Sequence, residues 1–445
     1  MADKSRQNEL DSGMEGIGAA GGASAEPTGH AQGSRGSEEG ADSPVRVGRD
    51  AGTESSRSFR IVISGYYGFH NSGDEAVLKS ILLALEEEGR AQGVKIEPVV
   101  LSGDPAWTES MYGVKAAGRM QPMGLLRAIA SSDGLISGGG SLLQDVTGGK
   151  TIPYYAGVLK LAQLLGKPTF IYAQGVGPVL NRRMDGLIRH VMTRSAYVSV
   201  RDAESAALLG RMGVPLDRIG VVPDPVMGLP LPPAMHGATA GDAAAAPSAA
   251  GGGSAAAAGG EAPVVGVSLR RWRKDGADLA RAAEALAELA RRRPVRLRFL
   301  PFHTPGDAEA SREVMERLGK LGAGSSAELA APGDDPQAML LEVSRCDLLV
   351  GMRLHALIYA AGQRVPMLGI SYDPKIDQFL ARLQEAPVAT TEAMDVSAFA
   401  DAAERLLSGA ETWRASKATL IDRLQSEARE PAQHIIQHLR QRAKR

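Results

Sequence analysis

The chain is 445 residues long, beyond the roughly 250–300 residues at which a single hydrophobic core stops growing, so two domains are expected. Its 50 basic and 51 acidic side chains leave a formal net charge of −1, which excludes a global field for nucleic acid or an anionic membrane surface and makes any anion chemistry local. The single cysteine, Cys346, excludes an intrachain disulfide and a cysteine-built zinc site and fits a reducing compartment.

Residues 1–57 are rich in Gly, Ala, Ser and charge with almost no large apolar side chains, so they are expected to form a disordered tail. Their start, MADKSRQNELDSGMEG, holds no apolar signal-peptide core, and no stretch approaches the roughly 20 apolar residues of a membrane helix. Cytoplasm is the expected location, with peripheral membrane contact left open. From residue 58 to 227 short apolar runs alternate with amphipathic ones: RIVISGYY, DEAVLKSILLALEEEG, IEPVVLSG, DGLISGGG, IPYYAGVLKLAQLLG, PTFIYAQGVG, MDGLIRHVMTRS, AYVSVRD, ESAALLGRMG and IGVVPDP. Strands separated by helices predict a mainly parallel sheet covered by helices. Residues 228–262 are Gly/Ala/Ser/Pro-rich and read as a flexible linker. A second cycle fills 263–395, with VVGVSLR, RLRFLPFH, DLLVGMRLHALIYAAG and VPMLGISYD as its strand-bearing segments. Residues 396–445 read as C-terminal helices, with Pro431 breaking or kinking the last. The expected fold is α/β, two Rossmann-like domains resembling the glycosyltransferase type B architecture, with a cleft between them.

Chemistry is expected at strand ends, where ligands bind in open α/β sheets. After the first strand comes a loop carrying Gly68, Asn71, Asp74 and Glu75; it reads either as a ligand loop or as a structural turn whose acids complement the helix dipole. It matches neither a dinucleotide fingerprint nor a Walker loop. Gly138, Gly139 and Gly140, followed by Gln144, close another strand, and three adjacent glycines point to a close backbone approach. Arg201 ends a third strand, as an anion ligand or as a partner of Asp202 or Asp224. In the second half, one strand leads to Arg353 and His355 and the next to Tyr372, Asp373 and Lys375. Two permanent cations beside one titratable group suit phosphate departure or carboxylate recognition coupled to proton transfer. No His, Asp and Glu spacing resembles a metal site, so no metal and no cofactor are expected.

These segments together, GYYGFHNSGDEA, SGDP, SGGGSLLQDVTG, YAQGVGP, SVRDAES, GVSLRRW and GMRLHALIYAAG with GISYDPK, make the chain similar to the polysaccharide pyruvyl transferase family, in particular its CsaB type. The resemblance implies phosphoenolpyruvate as donor, a saccharide, polysaccharide or lipid-linked acceptor, a 4,6-linked pyruvate ketal as product and inorganic phosphate as by-product. It implies catalytic roles for Arg201, His355 and Lys375, with Arg353 and Arg119 as further anion contacts. The tail and the linker depart from the family pattern. The sequence assigns no residue to protonating the donor carbon, and neither acceptor sugar nor oligomeric state. Two competing readings are a nucleotide-sugar glycosyltransferase or epimerase of the same architecture and a non-catalytic polysaccharide-binding module.

Overall fold

The computed structural model describes residues 57–146, 148–232, 261–331 and 333–444. The expected tail up to residue 56 and residues 233–260 of the expected linker lie outside the described residues. Gly228 closes a short helix begun at Pro225, and Leu229 is buried, so the packed chain runs past the expected boundary at residue 227.

The first half builds β1 (Arg57–Tyr67), β2 (Val94–Ser102), β3 (Lys115–Gly118), β4 (Gly134–Ser137), β5 (Gly140–Leu143), β6 (Thr169–Val176), β7 (Tyr197–Val200) and β8 (Ile219–Val221). They form one parallel sheet in the order β3-β2-β1-β4-β6-β7-β8, with β5 paired to β6. The second half repeats the plan with β9 (Val264–Ser268), β10 (Arg296–Phe299), β11 (Ser326–Leu329), β12 (Leu348–Gly351), β13 (Met367–Ser371) and β14 (Ala389–Thr390), in the parallel order β11-β10-β9-β12-β13-β14. Both sheets are doubly wound, each reversing direction beside its first strand, β1/β4 and β9/β12. Such reversal points open a crevice at the carboxyl ends of the strands.

The reason for the unbroken apolar runs is burial on both faces. Ile61, Val62 and Ile63 are all fully buried, with Ile61 and Ile63 in one core layer and Val62 in the other. Each such side chain contributes roughly 1.5–3 kcal/mol. The structure also adds elements that the patterning does not show: helices Pro105–Tyr112 and Pro122–Ala130, each with proline at its first turn, and the short edge strands β3, β11 and β14.

Pro431 neither breaks nor ends the last helix, which runs unbroken from Ala410 to Arg442. Its apolar stripe, Ile421, Leu424, Ala428, Ala432, Ile435, Ile436 and Leu439, is buried in a core cluster that holds side chains of both halves. Burial of that stripe offsets the roughly 3 kcal/mol that an interior proline costs.

Candidate active site

The carboxyl ends of both sheets converge on one cluster. Arg201 leaves the end of β7 with a side chain only 9% exposed. Its Nη1 donates to Asp224 Oδ2 at 3.3 Å and its Nη2 to Ser141 Oγ at 2.9 Å, while Nε stands 3.7 Å from Asp202 Oδ2. Asp224 follows β8 and also accepts from the Val226 amide at 3.2 Å. His355 enters from the opposite sheet, on the first turn of helix Leu354–Gly362, with Nε2 3.8 Å from Asp224 Oδ2. Nε2 is buried without a hydrogen-bond partner among the described residues. Gly73 gives the ring its room, since a Cβ there would fall 2.4 Å from His355 Nδ1.

Burial holds the His355 imidazole below its usual pKa; Asp224 opposes this, and Arg201, Arg353 and Lys375 reinforce it. The ring is therefore neutral near pH 7 and available as a base. Lys375 sits at the first turn of helix Pro374–Arg382, where a cation opposes the helix dipole. Desolvation and the nearby Arg201 push its ammonium below the ordinary lysine range. The Lys375 ammonium is thus disfavoured both by its burial and by its place at a helix start.

The acids of the first loop divide. Glu75 is almost fully buried and accepts from the Gly68 amide and from Tyr112 Oη, at 2.8 and 2.7 Å, so it fastens its own loop. Asp74 lies against Gly140, whose φ of +88° only glycine adopts readily and whose added Cβ would fall 2.9 Å from Asp74 Oδ1. Burial, then Glu75 and Asp224, raise the Asp74 carboxyl to about 7 against the pull of Arg201.

The remaining expected residues are engaged in contacts of their own. Asn71 caps helix Ser72–Ala91, accepting from the Gly73 amide at 3.2 Å. Gly68 turns against Ser102 and Asp104. Above Gly138 and Gly139 the space is filled by Tyr67 and Val77, so those close approaches are to the chain itself. The Gln144 side-chain oxygen accepts from the Val146 amide at 2.8 Å. Arg353 forms a two-pronged pair with the buried carboxylate of Asp307, with Nε donating to Oδ2 at 2.9 Å. Arg119 is enclosed by Tyr66, Phe69, Tyr154 and Tyr155, its guanidinium carbon 4.6–5.8 Å from their ring centres. Tyr372 packs on Trp272 and accepts from Arg270 Nη1 at 3.1 Å.

The pairing of Arg201 with Asp202 and Asp224, expected as the structural alternative to anion binding, is present; sequence reasoning missed the approach of Asp224 to His355, and missed Ser141 and Gly73. Asp224 carried a signal, since it too follows a strand of the same sheet. The contact of Gly73 with a residue of the other half carries none. Beside the cluster lies a cavity of about 650 Å³, lined by Arg201, Asp224 and Lys375 together with the apolar Met227, Ile358, Phe379 and Leu424. This falls within the usual range of small-molecule sites. Among the described residues no helix is long and apolar enough to cross a membrane, and no group of three or more His, Cys, Asp or Glu could hold a metal ion.

Among solved structures, the fold is similar to a UDP-N-acetylglucosamine 2-epimerase from Listeria monocytogenes, at 12% identity and a TM-score of 0.54, over 81% of this chain and 91% of that one. It is also similar to the UDP-GlcNAc 2-epimerase of Neisseria meningitidis, at 10% identity and a TM-score of 0.54, over 86% of this chain and 100% of that one. A glycosyltransferase from Rickettsia africae matches at 12% identity and a TM-score of 0.50, over 87% of this chain and 97% of that one. At these identities the likeness is one of fold, two Rossmann-like domains in the glycosyltransferase type B arrangement. No curated protein is matched by the sequence. The profile of the polysaccharide pyruvyl transferases matches residues 71–374, a span that holds Arg201, Asp224, His355 and Asp74, and the chain therefore belongs to the polysaccharide pyruvyl transferase family.

Proposed function

We propose that the protein transfers pyruvate from phosphoenolpyruvate to two hydroxyls of a saccharide, forming a 4,6-linked ketal and releasing inorganic phosphate, in the manner of the CsaB type. The observation that carries this reading is the meeting of Arg201 and Lys375, from opposite sheets, around a neutral His355 with Asp224 behind it. Two desolvated cations match a donor bearing both phosphate and carboxylate, and they stabilise charge on the departing phosphate. His355 takes the proton of an attacking hydroxyl, and Asp224 stabilises the imidazolium that forms. The adjoining cavity, lined by both charged and apolar side chains, suits a sugar-sized acceptor. On this reading no cofactor is required, and the protein works in the cytoplasm, meeting lipid-linked acceptors by peripheral contact.

The test is phosphate release from phosphoenolpyruvate by the purified protein, with N-acetylmannosaminyl and galactosyl acceptors and a His355→Ala control. The expected outcome is acceptor-dependent phosphate with a matching pyruvate mass gain, reduced about 10²–10⁴-fold in the variant. Consumption of a nucleotide sugar, with no phosphate released, would replace this reading with glycosyl transfer or epimerisation.

A further inference from the structure

We propose that Asp74 is the acid that protonates the methylene carbon of the donor, an assignment that rests on the pyruvyl-transfer reading. Asp74 stands at the start of helix Ser72–Ala91, at the β1/β4 reversal point where the crevice opens. Its Oδ1 lies against the backbone of Gly140, the residue before Ser141, which holds Arg201. The charged and titratable groups facing it are Glu75 on its own helix, Arg201 after β7, Asp224 after β8, the phenols of Tyr66 and Tyr67 on β1, and that of Tyr155 on helix Thr151–Leu164. Of the two adjacent acids, Glu75 is spent on Gly68 and Tyr112. Asp74 is the one whose charge couples to Arg201 and Asp224.

Two titratable groups pushed in opposite directions define an acid and a base. Burial keeps His355 neutral and raises Asp74 to about 7, so a neutral imidazole and a protonated carboxyl coexist near neutral pH. The reaction then balances without a further reagent. Asp74 gives its proton to the methylene carbon, which becomes methyl, and the adjacent carbon becomes electrophilic. The first hydroxyl oxygen bonds to that carbon and gives its proton to His355. The carbon–oxygen bond to phosphate breaks, with the electron pair leaving on phosphate, which takes the proton held by His355. The second hydroxyl oxygen bonds, and its proton returns to Asp74. Both residues end as they began.

The test is deuterium exchange into the vinyl position of phosphoenolpyruvate in D2O, with an analogue of the transferring acceptor that lacks its second hydroxyl, so that the ketal cannot close and protonation of the donor can reverse, while transfer is followed with the intact acceptor. Wild type should exchange. Asp74→Asn should lose exchange and transfer by about a hundredfold or more, while its phosphoenolpyruvate affinity stays within about threefold. Asp74→Glu, which keeps the acid one methylene displaced, should recover part of both. An Asp74→Asn protein that exchanges and transfers within about tenfold of wild type overturns the proposal. If that variant does not fold, the wild-type pH profile decides: kcat should fall as pH rises through about 7, and a flat profile over roughly pH 6 to 9 overturns the assignment. Failure of the wild type to release phosphate with any acceptor is a separate result, which removes the pyruvyl-transfer reading itself.

Discussion

Asp74 illustrates a side chain whose placement works against stability. Its carboxyl sits at a helix start, where the dipole favours negative charge, yet burial lifts it to about 7 in the fold from an ordinary value of 3.8. Between those values the folded chain binds a proton that the unfolded chain has lost, so stability from this group falls as pH rises from about 4 to about 7 and is level above. Asp74→Asn should therefore unfold like wild type at pH 4 and be more stable at pH 8, by on the order of 4 kcal/mol, in paired denaturant titrations. A variant less stable at every pH would mean that the carboxylate holds the loop instead. Arg353 makes the opposite case. Its guanidinium compensates Asp307, which is 1% exposed, so Arg353→Ala should cost about 3–5 kcal/mol by leaving a buried charge alone. His355→Ala, which removes a neutral ring, should cost far less. Activity lost with Arg353 is then read first as lost structure, checked by the midpoint of unfolding in urea.

At the level of helices and loops, the glycines separate by what lies above them. Alanine at Gly73 should improve helix propensity by up to about 1 kcal/mol, but its Cβ would fall 2.4 Å from His355 Nδ1 and move the ring. The expected result is a protein that melts no earlier than wild type and turns over at least about tenfold more slowly. Unchanged turnover would show that His355 relaxes freely or is not needed. Gly138→Ala instead meets the hydroxyl of the buried Tyr67 at 2.1 Å and should lose about 1–3 kcal/mol of stability. This contrast also marks what was legible in the sequence. The strand and helix alternation and the strand-end positions of Arg201, His355 and Lys375 are local patterns, and the structure brings those three side chains to one cleft. What fills the space above a glycine is not local: Tyr67 covers Gly138, His355 covers Gly73, and Asp307 meets Arg353 across 46 residues of chain. Helices Pro105–Tyr112 and Pro122–Ala130 stayed hidden because each is short and buries a single side chain, Thr108 or Ile129.

Across the molecule, the last helix ties the two halves into one core. Near its start Trp413 donates from its indole nitrogen to Glu385 of the second half at 3.0 Å. Toward its end His434 stacks on Tyr197, His438 meets Phe170, and Arg440 donates to Gln92 at 3.0 Å, all in the first half. Ile435 and Ile436 are fully buried in the cluster that also holds Ile61 and Leu349. A cleft whose ligands come from both sheets needs such a tie, because the 3.8 Å approach of His355 to Asp224 spans the halves. Ile435→Ala should cost about 2–5 kcal/mol and lower the hydrogen-exchange protection of β6 and β12 together, since one cooperative unit opens as a whole. Protection lost from β6 while β12 keeps its own would show that the halves unfold independently. The geometry of the site would then rest on loop contacts alone, and His355 and Asp224 should drift apart under conditions milder than those that melt either sheet.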